Sequence, residues 1–168
     1  MITDKFKNGQ IGFTLIETLV SLVILTLTLI PILNLSNSIN RVTESIQDNM
    51  IASGLAQEGI EIIRNMRDTN WFNNRAFDLN LGEGVVNQPY QYRVEWQSVW
   101  PGTYANTPLN ISNGMYTYFP GEVSKFTRTI TITKINAGEL SVVSQVSWTD
   151  GRGNSRSISA EDHLFNWK

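Results

Sequence analysis

The chain has 168 residues, of which 41% are hydrophobic and 17% are charged, and this composition excludes an intrinsically disordered protein. The formal net charge of −2 gives no basic footprint for nucleic acid, so we expect no nucleic-acid partner. The lack of cysteine excludes disulfides, thiolate metal sites and cysteine nucleophiles, and a single histidine excludes a histidine-based metal cluster.

The first predicted element is an apolar helix near the N-terminus. Residues 1–12 (MITDKFKNGQIG) are polar and carry two lysines and one aspartate. In residues 13–35 only Glu17 is charged. A helix of that length, rising about 1.5 Å per residue, is long enough to cross a bilayer. The lysines ahead of it predict a cytoplasmic N-terminus, with the rest of the chain outside.

Three interpretations of this segment compete. A plain signal-anchor would use the apolar span alone. A secretory signal peptide would be cleaved near Ser36-Asn37-Ser38, but its apolar region usually has only about 7–15 residues. Neither explains Glu17, because a charge in hydrocarbon costs about 2.5–3.5 kcal/mol at the helix centre and less toward the interface.

The third interpretation comes from the stretch GFTLIE, residues 12–17, in front of the apolar run. It resembles the processing site of type IV prepilins and pseudopilins, in which a short basic leader ends in glycine, phenylalanine follows, and glutamate is the fifth residue after the cut. The resemblance implies that a prepilin peptidase cleaves between Gly12 and Phe13 and that the new α-amine of Phe13 is methylated.

The resemblance also implies a role for Glu17 in filament assembly. Its carboxylate would pair with the α-amine of a neighbouring subunit, so that each buried charge has a partner. The alternative is an acid that snorkels toward the membrane surface or contacts the positive end of its own helix. Pro31 lies inside the apolar run, where membrane helices tolerate proline, and the sequence leaves open whether it kinks or locally melts the helix.

A second helical pattern follows the apolar run. We predict one helix over residues 13–67, with 13–35 in the membrane and 36–67 amphipathic, ending at Asp68-Thr69-Asn70. The alternative is two helices broken near Asn34 to Asn40. The apolar residues of the predicted amphipathic face are Ile39, Val42, Ile46, Met50, Ile60, Ile63 and Met66.

Residues 68–168 are predicted to form an extracytoplasmic, β-rich globular head. After an irregular connection over 71–89, in which Gly82-Glu83-Gly84 forms a turn, alternating apolar and polar residues predict several antiparallel strands. The predicted strands are 90–99, 115–119, 126–135, 140–148 and 156–159. The fold class is therefore α+β: a pilin-like, long N-terminal helix packed on a C-terminal antiparallel sheet.

The sequence offers few signals for chemistry. His163 beside Glu161 and Asp162 has no nucleophile motif, and Asp150 to Asn154 lacks the ligand spacing of a calcium loop. We therefore predict no catalytic residue, no metal and no cofactor, and we expect that the protein is not an enzyme. The dense aromatic residues either fill the core or form a partner surface.

The C-terminal residues 143–167 also resemble the end of many small prepilin-like proteins, which favours a minor pilin over a major one. The expected partners are other pilin subunits, prepilin peptidase, the inner-membrane assembly platform and membrane lipid. The expected location is the cytoplasmic membrane, with a single pass, and an extracellular filament after assembly. Alternatives are a membrane-anchored or filament-tip adhesin, and a pseudopilin of a type II secretion or DNA-uptake machine.

Overall fold

The computed structural model describes Gly12, residues 14–82 and residues 85–167, without the side chain of Asn37. The predicted leader therefore lies outside the described residues except for Gly12. Two residues of the predicted Gly82-Glu83-Gly84 turn also lie outside them. The chain divides into two compact units, Met1–Thr43 and Glu44–Lys168.

Helix α1 runs without interruption over Leu15–Phe72 and contains Pro31. The alternative of two helices broken near residues 34–40 is therefore wrong. The stop predicted at residues 68–70 is also wrong, because α1 continues to Phe72. Asn70 is buried and its side-chain amide donates to the carbonyl oxygens of Phe77 and Leu79, so tertiary contacts hold a weak helix former in the helix.

In its described residues, the head contains eight strands in two antiparallel sheets. The larger sheet has the order β2-β1-β6-β7-β8, and the smaller one has the order β4-β3-β5. The strands are β1 Pro89–Arg93, β2 Gly102–Thr103, β3 Asn110–Ser112, β4 Met115–Thr117, β5 Glu122–Val123, β6 Thr127–Asn136, β7 Glu139–Thr149 and β8 Ser155–Phe165.

The predicted β-hairpin of the head is confirmed. Strands β6 and β7 pair antiparallel around the turn at residues 136–139, with Thr133 opposite Ser141. Other strand predictions were wrong in extent: β1 ends at Arg93 rather than Val99, and β8 extends to Phe165 rather than Ser159. The short strands β2, β3 and β5 were not predicted.

The core lies between the second part of α1 and the larger sheet. Ile60, Ile63 and Met66 are buried as predicted, whereas Ile39, Val42, Ile46 and Met50 are more than half exposed. Strands β6 and β7 form the sheet side of this core. Alternate residues along each strand point inward, and these residues are buried. These buried sheet residues are Arg128, Ile130, Ile132, Leu140, Val142, Ser144, Val146 and Trp148.

Arg128 is a charged residue on this inward face. Its side chain is fully buried, and Nη1 lies 3.2 Å from both Glu58 Oε1 and the carbonyl oxygen of Leu55. Nη2 donates to the carbonyl oxygen of Val94 at 2.5 Å. The guanidinium therefore connects α1, β6 and the end of β1 through charge-assisted hydrogen bonds to two carbonyl groups and an ion pair with Glu58.

Lys125 and Arg64 form further ion pairs between α1 and the sheet region. Lys125 Nζ lies 2.7 Å from Asp48, whose side chain is 7% exposed. Arg64 Nη2 lies 2.8 Å from Asp162 in β8. Because the Lys125 and Arg64 side chains are about 40% exposed, these pairs fix orientation more than they add stability.

Gly59 marks the closest approach of α1 to the sheet. A Cβ atom at this position would lie 2.7 Å from Ile130 Cδ1 and even closer to Ser144 Oγ. Gly54, on an exposed part of the same helix, has no described neighbour within 4 Å of a Cβ in that position. The two glycines therefore share a helical conformation and differ in their surroundings.

We predict opposite effects on stability for Gly54→Ala and Gly59→Ala. Gly54→Ala should stabilise the head by up to about 1 kcal/mol, because alanine has the higher helix propensity. Gly59→Ala should destabilise it by about 1–3 kcal/mol, because the methyl group overpacks the contact with β6 and β7. Denaturant unfolding of the full chain in detergent micelles, followed by tryptophan fluorescence, measures both; equal stabilisation would contradict this contact.

Candidate assembly and processing site

The start of α1 is capped by Thr14. The backbone N–H of Glu17 donates to the carbonyl oxygen of Thr14 at 3.0 Å and to its Oγ1 at 3.3 Å, and the N–H of Thr18 donates to the same carbonyl at 3.2 Å. Thr14 is thus the N-cap, and its spacing to Glu17 is that of a capping box. The capping role of Thr14 was not predicted, although the sequence contains the Thr-x-x-Glu signal.

Of the three predicted site residues, the structure describes Gly12 and Glu17. Gly12 is exposed, lies before the helix, and has no described atom within 4 Å of the position a Cβ would take. Phe13, the predicted site of N-methylation, lies outside the described residues. Glu17 is exposed in the first turn of α1.

The first part of α1 carries an unusually apolar surface. By length and composition, α1 is the one helix among the described residues that could cross a membrane. Such a surface is stable when lipid rather than water surrounds it. The side chains concerned are all at least half exposed: Leu15, Ile16, Leu19, Val20, Leu22, Val23, Ile24, Leu25, Leu27, Leu29, Ile30, Ile32, Leu33 and Leu35.

The hydroxyl groups in this segment are satisfied within the helix itself. Thr18 Oγ1 donates to the carbonyl of Leu15 at 2.8 Å, and Thr26 Oγ1 donates to that of Val23 at 2.9 Å. Thr28 Oγ1 is shared between two preceding carbonyls. Because no water reaches the bilayer core, these internal bonds make threonine compatible with a lipid environment.

Glu17 differs from these threonines. Within the described part of the chain, no basic side chain forms an ion pair with its carboxylate. Its backbone N–H is used by the Thr14 cap, but that contact leaves the side-chain charge uncompensated. An uncompensated carboxylate at a membrane edge favours a basic partner supplied from elsewhere.

His163 lies on β8 among carboxylates. Its Nδ1 is 2.7 Å from Glu139 Oε1, and its Nε2 is 3.6 Å from Glu161 Oε1. The hydrogen bond with Glu139, followed by the charges of both glutamates, raises the pKa of His163. This arrangement is that of an exposed ion-pairing histidine.

The Asp150 turn also has a structural explanation. The Asp150 carboxylate accepts hydrogen bonds from the backbone N–H groups of Asn154 and Arg152 and from the side chains of Asn154 and Arg156. These bonds, led by the one from the Asn154 backbone, lower the pKa of Asp150 to about 2. The Asp150 carboxylate oxygens thus stabilise the turn. Among the described residues, no group of three or more His, Cys, Asp or Glu side chains is arranged to hold a metal ion.

We predict that His163 titrates above the ordinary histidine pKa and that Glu139→Gln shifts its pKa downward. The Glu139 pair contributes stability below the ordinary pKa, and this contribution is lost as the pH rises through the raised folded-state pKa. NMR titration of the untagged chain gives the value directly, since it has one histidine. Glu122→Gln, an exposed change in β5, is the control; an unchanged His163 pKa in Glu139→Gln would contradict the pairing.

Comparison with known proteins gives one match. Residues 7–33 match the sequence profile of the family described as Prokaryotic N-terminal methylation motif, and this range includes Gly12, Phe13 and Glu17. No curated protein and no solved structure matches the chain. The matched motif is the signature of type IV prepilins and pseudopilins, and it indicates processing by a prepilin peptidase and assembly with other pilin subunits. The chain therefore carries the type IV prepilin and pseudopilin signature over residues 7–33, which supports a pilin-like structural subunit, and its long apolar helix fits a membrane-anchored protein with a single span.

Proposed function

We propose that the chain is a minor pilin or pseudopilin of a type IV pilus-like filament. A prepilin peptidase cleaves between Gly12 and Phe13, the α-amine of Phe13 is methylated, and α1 then enters the filament. The observation that carries the proposal is Glu17, a carboxylate without a described partner on an otherwise apolar helix within the matched motif. Residues 1–12 are the leader and 13–35 the membrane span.

The proposed location follows from the same residues. The leader places Lys5 and Lys7 before the span, which favours a cytoplasmic N-terminus and an extracytoplasmic head. The leader carries a net charge of +1, so the side chains of residues 13–168 sum to −3. The assembly platform in the inner membrane is the proposed partner for extraction from lipid.

In the filament, the Glu17 carboxylate pairs with the methylated α-amine of a neighbouring subunit. Both charges leave water when the helices pack together, and each is costly without the other. The pair therefore favours one axial register between subunits. Neighbouring genes distinguish the systems: a retraction ATPase indicates a pilus, an outer-membrane channel for secretion indicates a secretion machine, and a DNA-uptake channel indicates a DNA-uptake machine.

A binding role for the head is the second candidate function. The specific observation is a set of exposed aromatic side chains, including Trp96 at 53% and Phe119 at 49%. Such surfaces are common at sites of molecular recognition. This role is compatible with a subunit at a filament tip.

The proposed function predicts where the chain is cleaved. In cells with active prepilin peptidase, intact mass should show a chain that begins at N-methylated Phe13. Gly12→Val should slow cleavage roughly 100-fold, because the side chain displaces the bond to be cut, whereas the control Gly9→Val should be cleaved normally. A wild-type chain that begins at Met1 would indicate a plain membrane anchor, and one that begins near Ile39 would indicate a secreted domain.

The proposed function also predicts that assembly depends on Glu17. Glu17→Gln should still lose its leader, but its incorporation into filaments should fall by about two orders of magnitude, because the neighbouring amine is left buried without a counter-charge. Quantitative immunoblotting of sheared filaments against the membrane pool measures this ratio. Glu122→Gln removes an exposed carboxylate from the head and should incorporate normally. Equal incorporation of both variants would show that Glu17 does not form the pair.

A further inference from the structure

A cavity of about 300 Å³ lies at the C-terminal end of α1, where the chain reverses direction. The reversal is a Schellman turn, because Asn74 has a φ of +54° and its N–H donates to the carbonyl of Trp71 at 3.0 Å. The next N–H, that of Arg75, donates to the carbonyl of Asn70 at 2.8 Å. The segment after α1 therefore folds back over the last turn of the helix. The lining residues are Trp71, Asn74, Arg75, Ala76, Phe77 and Asn166.

Two of the lining side chains are buried aromatic rings, those of Trp71 and Phe77. The guanidinium of Arg67 lies 4.6 Å from the centre of the Trp71 ring, and Trp167 meets the same ring edge-on with 4.8 Å between the ring centres. These contacts hold the Trp71 indole in place. The cavity thus has a fixed apolar wall, which suits a flat apolar group.

The polar lining residues offer hydrogen-bond donors that have no acceptor. Within the described part of the chain, the Arg75 guanidinium forms no ion pair, and the side-chain amides of Asn74 and Asn166 form no hydrogen bond. Trp71 is 8% exposed, and its indole N–H also has no acceptor among the described residues. Since buried N–H groups usually have a partner, the cavity favours a ligand that brings acceptor atoms.

The charges near the cavity favour an anion. Arg67 is already paired with Asp68 at 2.9 Å, and Asp78, next to Phe77 in the chain, is paired with Lys134. Arg75 therefore remains as the charged lining residue without a described counter-charge. The side chains of residues 13–168 sum to −3, so this cation is not part of a generally basic surface. A carboxylate matches a guanidinium through two parallel hydrogen bonds.

We propose that this cavity binds a small carboxylate with a flat apolar body, of which an aromatic acid is the simplest example. The carboxylate pairs with Arg75 and accepts hydrogen bonds from the side-chain amides of Asn74 and Asn166. The apolar body packs against the Trp71 indole. A volume of about 300 Å³ is at the lower end of the range of about 300–1,000 Å³ that is usual for small-molecule sites. This inference goes beyond the structural role in a filament and does not depend on processing or assembly.

The test uses the full chain in micelles of an uncharged detergent, with phenylacetate as the probe. Phenylacetate should bind with a dissociation constant on the order of 1–10 mM, as expected for about ten non-hydrogen atoms. In an NMR titration the indole N–H signal of Trp71 should shift as the cavity fills. Phenylacetamide has nearly the same shape without the charge, and acetate lacks the ring. Each should bind about tenfold more weakly than phenylacetate.

Variants of Arg75 test the role of the guanidinium. Arg75→Gln should weaken phenylacetate binding about tenfold, and Arg75→Lys should retain part of the affinity, because lysine keeps the charge but not the paired donors. Arg152→Gln removes an exposed arginine from the β7–β8 turn and is the matched control, which should bind normally. The comparison of the three ligands on the wild-type chain remains decisive if Arg75→Gln fails to fold.

Several results would overturn the proposal: phenylacetamide binding as tightly as phenylacetate, benzylamine binding more tightly, or a Trp71 signal that does not move. An Arg75 that only stabilises the negative end of α1 would lower the melting temperature in Arg75→Gln without changing the affinity, and this result would also contradict the site. Leader cleavage and filament incorporation are measured separately, so failure of the carboxylate site and failure of the filament function are distinguishable.

Discussion

At Gly59 the backbone of α1 lies directly against β6 and β7, and the remaining packing of the head depends on this contact. The glycine lets Ile130 and Ser144 approach the helix, and the buried stripe from Ala52 to Met66 then covers the inward face of the sheet. The same closeness brings Arg128 within reach of the Leu55 carbonyl and Glu58. A hydrophobic contact and a buried polar contact thus both fix where the helix lies on the sheet.

The two parts of α1 use apolar side chains in different ways. From Leu15 to Leu35 the apolar residues surround the helix, while in the head they form one stripe among polar residues. An all-round apolar surface is suited to lipid or to other apolar helices, and a stripe is suited to a single packed interface. The motif matched at residues 7–33 covers most of this first part, and together with the apolar surface it fits a membrane anchor.

Sequence alone predicted the features that have a strict period or a fixed spacing. The alternation in FTRTITITKI and LSVVSQVSW specified the β6–β7 hairpin, and the glycine, phenylalanine and glutamate spacing at residues 12–17 identified the candidate site. The end of α1 was not predictable, because Asn70 favours the helix only through its contacts with the later loop. Strands of two or three residues such as β2 and β3 carry too few residues to show alternation.

Strand β8 has a consequence for how the heads behave when they are crowded. Its eleven residues form one edge of the sheet, and a long edge strand is a template for aggregation by strand addition. Arg156 and Asp162 on the inward side, the latter bonded to Arg64, are charged residues of the kind that discourage such addition. The charged residues of this edge therefore disfavour the merging of sheets when two heads come close together in solution.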